Sequence, residues 1–150
     1  MRRNLPMILI RVIVGVVFVT EGALKFIHPV EFGSGRFAAI GLPDAQILAP
    51  FVGAIEVASC VAIVLNLFAG DAALVLLAVI VTALVTTKLP VLVGRPLGPF
   101  TLVKLPHYGV LAFLHEARVD LCMLFGLLAV AIEGGVRMGR RRQWYQSKPL

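Results

Sequence analysis

Charge and cysteine are both scarce in this sequence. Only 15% of its 150 residues are charged, whereas soluble domains carry about a quarter. Hydrophobic residues make up 59% and the mean hydropathy is +0.96. A soluble enzyme is excluded by that balance, and disorder with it, since a disordered chain needs high charge and low hydrophobicity. The two cysteines, Cys60 and Cys122, are too few for a disulfide-stapled secreted fold. No Cys-x-x-Cys is present to run a thiol relay, so both thiols read as packing residues. His28, His107 and His115 lie on different segments, with no pair on one helix face suited to zinc or to a bis-His haem. A Gly-rich phosphate loop and a dinucleotide fingerprint are also missing, so no nucleotide cofactor is implied.

Long apolar runs are what the chain does have. A bilayer core is about 30 Å thick and a helix rises about 1.5 Å per residue, so a span needs roughly 20 mainly apolar residues. Four such runs occur, over residues 5–26, 45–69, 71–93 and 109–132. They are continuous rather than alternating and too long for barrel strands, which predicts an all-α polytopic membrane protein built as a four-transmembrane-helix bundle. His28-Pro29, Gly41-Leu42-Pro43 and the stretch 94–106 punctuate the pattern at its boundaries. Asp44 and Asp71 stand where they would cap the second and third helices. Between the first two spans, Phe32, Phe37, Ile40 and Leu42 alternate with Glu31 and Arg36, a mix suited to a short interfacial helix.

Basic residues number 14 against 8 acidic, a net charge of +6. Five of the cations (Arg137, Arg140, Arg141, Arg142 and Lys148) fall in the last fourteen residues. Residues 1–136 thus form the membrane domain and 137–150 a basic tail. Arg2 and Arg3 before the first span and the Arg140 cluster after the last place both termini in the cytoplasm by the positive-inside rule, which demands an even number of spans. Beside a membrane, the tail's arginines with Trp144 and Tyr145 read as an anionic-lipid anchor, not as a nucleic-acid patch.

An ionisable group inside a span costs at least about 2.5 to 3.5 kcal/mol, so each one marks a candidate site. Glu21, Lys25, Glu56, Lys88, His115, Glu116, Arg118 and Asp120 form the candidate polar cluster, and all but Glu56 fall at one depth near the outer surface. On the first helix Arg11, Phe18, Glu21 and Lys25 make a polar seam beside Gly15 and Gly22; on the second, Gln46, Pro50, Gly53, Glu56 and Cys60 make another. Glu116 and Asp120, four residues apart, share a face and repel, so they need a cation from Lys25, Lys88 or Arg36. His115, Arg118 and Cys122 follow a neighbouring stripe. Lys25, Lys88 and Arg11, near helix ends, are expected to snorkel to water. Glu56, the deepest carboxylate, is expected to be desolvated and, unless a cation lies close, to be protonated and act as a hydrogen-bond donor at mid-membrane.

These residues also carry a resemblance. Arg11, Gly15, Phe18, Glu21-Gly22 and Lys25-Phe26, then Gly35-Arg36-Phe37, Gly41-Leu42-Pro43, Pro50-Phe51-Val52-Gly53 with Glu56, Lys88-Leu89-Pro90 and His115-Glu116-Ala117-Arg118 with Asp120, resemble the DoxX family of small four-helix membrane proteins. The likeness covers about residues 8–134 and departs at Gly134-Gly135-Val136-Arg137, where relatives carry a Trp-Ser-Leu-Asp segment. It implies a bacterial inner-membrane protein related to the small subunit of thiosulfate:quinone oxidoreductase and to membrane partners of oxidant-defence enzymes.

Three functions fit. One is a redox membrane subunit that binds quinone between its helices, with His115, Glu116, Asp120 and Glu56 as proton carriers and Lys88 and Arg118 stabilising a developing quinol anion. A partner enzyme would deliver the electrons. The second is an accessory or assembly subunit of such a system, its ion network fixing the bundle and its basic tail docking a cytoplasmic enzyme, with a homo-oligomer as a further expectation. The third is a small transporter or permease using the polar cluster as a path.

Overall fold

The computed structural model describes residues 5–146, with the helical backbone alone from 136 onward. Arg2, Arg3 and the side chains of the basic tail therefore lie outside the described residues. All regular structure is helical: α1 (Leu5–Ile27), α2 (Ser34–Ala39), α3 (Ala45–Val64), α4 (Ala69–Ala83), a π-helical turn (Leu84–Lys88), α5 (Leu89–Val93) and α6 (Val110–Gln146). In an apolar solvent only a helix satisfies its own backbone groups within the segment, and long runs of Val, Ile, Leu and Ala accordingly take that form. Among the described residues, three helices are long and apolar enough to cross a membrane, Leu5–Ile27, Ala45–Val64 and the continuous rod Ala69–Val93.

Several boundaries differ from the sequence reading. The second helix stops at Val64 and the third begins at Ala69, so the tight connection is 65–68. Neither aspartate caps through its side chain: Asp44 adopts a left-handed conformation (φ 45°) before α3, and Asp71 lies inside the first turn of α4, whose preceding residue is Phe68. α6 does not end near Ile132 but runs unbroken for 37 residues to Gln146, about 55 Å at the helical rise. The segment between α1 and α3 does contain a short helix, α2, packed against α3.

α1 packs chiefly on α3 and α4 chiefly on α6, while α3 and α4 form an antiparallel hairpin. Small residues permit the close approaches. A methyl group on Gly22 would meet the Gly53 carbonyl oxygen at 2.9 Å, and one on Gly134 would meet the Gly70 backbone at 2.5 Å. The buried core joins Val14, Phe18, Cys60, Ile63, Leu76 and Leu127 with neighbours from α1, α3, α4 and α6. It fills the end of the bundle near the 65–68 connection. Outward faces are apolar: Leu9, Ile13, Ile47, Leu74, Phe125 and Ile132 are all exposed, as expected of helices that face lipid.

Candidate functional site

At the other end of the bundle the helices separate around a cavity of about 710 Å³. Its walls are Val17 and Phe18 of α1, Phe51, Val52 and Ile55 of α3, Val75 and Val79 of α4, and Val119 and Met123 of α6. Phe32, Phe37, Ile40 and Leu42, from α2 and the residues flanking it, contribute further apolar lining. The polar lining is equally definite: Glu21, Lys25, Arg36, Glu56, Thr86, Thr87, Lys88, Glu116 and Asp120 face the same space.

Two ion-paired groups stand within this lining, and they differ in kind. Lys25 Nζ lies 2.7 Å from Glu56 Oε2, with side-chain exposures of 7% and 4%. The same ammonium donates to the Glu21 backbone oxygen at 3.2 Å. The expectation that Lys25 snorkels is thereby corrected, because a buried carboxylate supplies the partner that water would otherwise provide. For Glu56 the close cation is Lys25, from which it accepts a charge-assisted hydrogen bond.

Lys88 makes the second group. Its Nζ stands 3.7 Å from Glu116 Oε2 and 3.9 Å from Asp120 Oδ2, so it is the cation these two carboxylates required. These distances exceed a hydrogen bond, which ends at about 3.2 Å for N–H···O. Side-chain exposures of 18% for Lys88, 35% for Glu116 and 25% for Asp120 show that the trio borders open space.

Local backbone chemistry explains how Lys88 reaches the cavity. Pro90 lacks an N–H and cannot donate to the Thr86 carbonyl in an α-helical ladder, and the turn immediately before it widens to π geometry. Thr86 Oγ1 donates to the Thr82 oxygen at 2.8 Å and Thr87 Oγ1 to the Ala83 oxygen at 2.7 Å. Both hydroxyls are thus tied to backbone carbonyls at the wide turn. The insertion re-registers the rod, burying Thr86, Pro90 and Val91 while Lys88 lines the cavity.

The structure does not bring all the sequence candidates together. His115 and Arg118 are exposed on the far side of α6, where Arg118 Nη1 donates to the His115 backbone oxygen. Gln46 is likewise exposed; Ala45 and Ala49 hold the buried stripe in its place. Cys60 and Cys122 are free thiols, the first buried and the second exposed.

Sequence reasoning missed a further network at the packed end. Arg11 is buried rather than snorkelling: Nη1 lies 2.6 Å from Asn66 Oδ1 and Nη2 lies 2.6 Å from Glu133 Oε2. This guanidinium ties α1 to the α3–α4 connection and to α6. The polar seam of α1 had pointed to Arg11, but its partners lie 55 and 122 residues away. Arg36 and the aromatic residues around α2, read as interfacial, also line the cavity.

An all-helical membrane protein enclosing a one-ended, ion-paired cavity is the class that fold and lining define. The DoxX family pattern matches residues 7–89, and the chain belongs to the DoxX family. It is 39% identical over 136 residues to the uncharacterized membrane protein Rv3486 of Mycobacterium tuberculosis, covering 91% of this chain and 79% of that protein. No solved structure matches it.

Proposed function

We propose that this protein is the small membrane subunit of a redox system in a bacterial inner membrane, and that its cavity holds a lipid-soluble quinone. The observation that carries this reading is the cavity itself. At about 710 Å³ it falls within the range of small-molecule sites, roughly 300 to 1,000 Å³, which combine apolar walls with a few convergent polar groups. Apolar walls suit a hydrocarbon tail and ring faces. The polar end suits the ring oxygens, which need hydrogen-bond donors and nearby proton carriers when a quinone takes up two electrons and two protons. Electrons would come from a partner enzyme, with this chain as its membrane anchor.

The same reading makes α6 the fourth span. Leu114, Phe125, Leu128 and Ile132 form an exposed apolar face on it, while Glu116, Asp120 and Glu133 turn toward other helices, where Lys88 and Arg11 meet them. With four spans, Arg2 and Arg3 and the Arg140 cluster place both termini in the cytoplasm and the cavity toward the outer leaflet. α2 then lies at the outer interface.

A transporter would need a path continuing past the cavity. Phe18, Cys60, Leu76 and Met123 belong to the packed core that fills the space beyond it, which favours a binding site over a passage. Titration of the purified protein with a decyl-tailed benzoquinone, with a thermal melt at each concentration, tests the reading. A saturable rise in melting temperature is expected, since a ligand that binds only the native state stabilises it by mass action. A melt that stays constant across the titration overturns the proposal.

A further inference from the structure

We infer that Lys88, presented by the π-helical turn, is the head-group donor of the cavity and selects a neutral oxygen-bearing ligand over an anionic amphiphile. The inference rests on the ligand-binding reading above and assigns its chemistry to one side chain.

The two lysines of the cavity have different hydrogen-bond states. Lys25 is engaged at 2.7 Å by Glu56 and at 3.2 Å by a backbone oxygen. Disrupting that pair to serve a ligand would leave a buried carboxylate alone. Lys88 carries three N–H donors, and among the described residues none has an acceptor within hydrogen-bond distance. Its two carboxylates stand at 3.7 and 3.9 Å, near enough to hold the charge and too far to occupy the donors. A ligand oxygen in the cavity can therefore take a charge-assisted bond from Lys88 while Glu116 and Asp120 stay beside the ammonium.

Charge decides the class of ligand. Among the described residues, Glu21, Glu56, Glu116 and Asp120 line the cavity against Lys25, Arg36 and Lys88. One carboxylate is in excess. A fatty-acid carboxylate would add to that excess in a poorly screened space, whereas a quinone carbonyl accepts from Lys88 without bringing charge. The π turn makes Lys88 available: Thr82, Thr86 and Thr87, the rod's other polar groups in the lining, donate their hydroxyls to carbonyls of their own helix.

The test measures binding of decyl benzoquinone and of dodecanoate to the full chain in detergent, for wild type and for Lys88→Met, Lys88→Arg and Lys88→Met/Glu116→Gln. Wild type is expected to bind the quinone saturably and dodecanoate not at all. Removing a charge-assisted bond predicts that Lys88→Met weakens quinone binding by about 10- to 100-fold. Lys88→Arg, which keeps the donor, should stay within about threefold. The double variant removes one carboxylate with the cation, restores the charge balance, and should show the same loss if Lys88→Met alone folds poorly. Quinone binding that is equal in wild type and in the folded lysine-to-methionine variants overturns this inference and leaves the quinone site standing. Dodecanoate binding in preference to quinone overturns the ligand class, and the absence of saturable binding in wild type overturns both proposals.

Discussion

Lys25 Nζ meets Glu56 Oε2 at 2.7 Å between α1 and α3, with both side chains almost wholly buried. This pair sits beside a close approach of the same two helices, at Gly22 and Gly53. A buried pair deprived of one partner leaves an uncompensated charge, at a cost of about 3 to 5 kcal/mol. Lys25→Met should therefore lower the melting temperature sharply, and Glu56→Leu added to it should restore much of the loss. Thermal melts of the single and double variants, run as a double-mutant cycle, provide the check; additive losses would show that the two side chains act independently.

Lys88 should behave differently, because its trio is more exposed and its contacts are longer. Partly solvated pairs contribute about 0 to 1 kcal/mol. Lys88→Met is thus expected to melt close to wild type in the same experiment. A loss as large as that of Lys25→Met would make Lys88 a structural residue and remove its availability to a ligand.

Arg11 predicts a third stability effect, at the opposite end of the bundle. Its guanidinium reaches both Asn66 and Glu133 at 2.6 Å. Arg11→Leu removes a buried cation that bonds both Glu133 and Asn66 and should lower the melting temperature clearly, while Glu133→Gln, which keeps an acceptor in place, should lower it less. Comparing their melts with that of wild type tests whether this network clamps α1, the α3–α4 connection and α6 together.

How much of this was legible in the sequence follows from the range of each interaction. Helix number and approximate length follow from runs of apolar residues, and these are local. Glu116 and Asp120 on one face, with His115 and Arg118 on another, also follow from local spacing, and the structure separates them along that division. Partner choice is not local: nothing near Arg11 indicates a residue 122 positions away, and Lys25 and Lys88 stood at similar depth before α3 and α6 claimed them separately. The helix starts misled for another reason. Asp44 and Phe68 both take left-handed backbone, at φ 45° and 49°, so neither start uses an aspartate side chain as its cap. The π turn depends on Pro90 and on tertiary packing together, and its effect on the register of Lys88 is invisible to a regular helical count.

Gly22 offers a packing prediction free of charge effects. A side chain there would meet the Gly53 oxygen and Val57 at 2.9 Å. Overpacking of this kind costs about 1 to 3 kcal/mol. Gly22→Val should lower the melting temperature accordingly, whereas Gly135→Val, with open space around it, should not; equal losses from the two would contradict the close α1–α3 contact.

Orientation is checked by alkaline phosphatase fused after Leu150. Four spans with cytoplasmic termini predict an inactive fusion, because the enzyme matures only outside the cytoplasm. High activity in a normally inserted fusion would mean an odd number of spans or the reverse orientation.

Ligand occupancy of the cavity is tested most directly by filling it. Ala83 lines the cavity, and Ala83→Phe would place a ring where the ligand is proposed to lie. The measurement is the melting temperature of wild type and of Ala83→Phe across a titration with decyl benzoquinone. Wild type should show a saturable rise, and the variant, with an unliganded melt near that of wild type, should show none. The same saturable rise in both proteins would contradict quinone binding in this cavity.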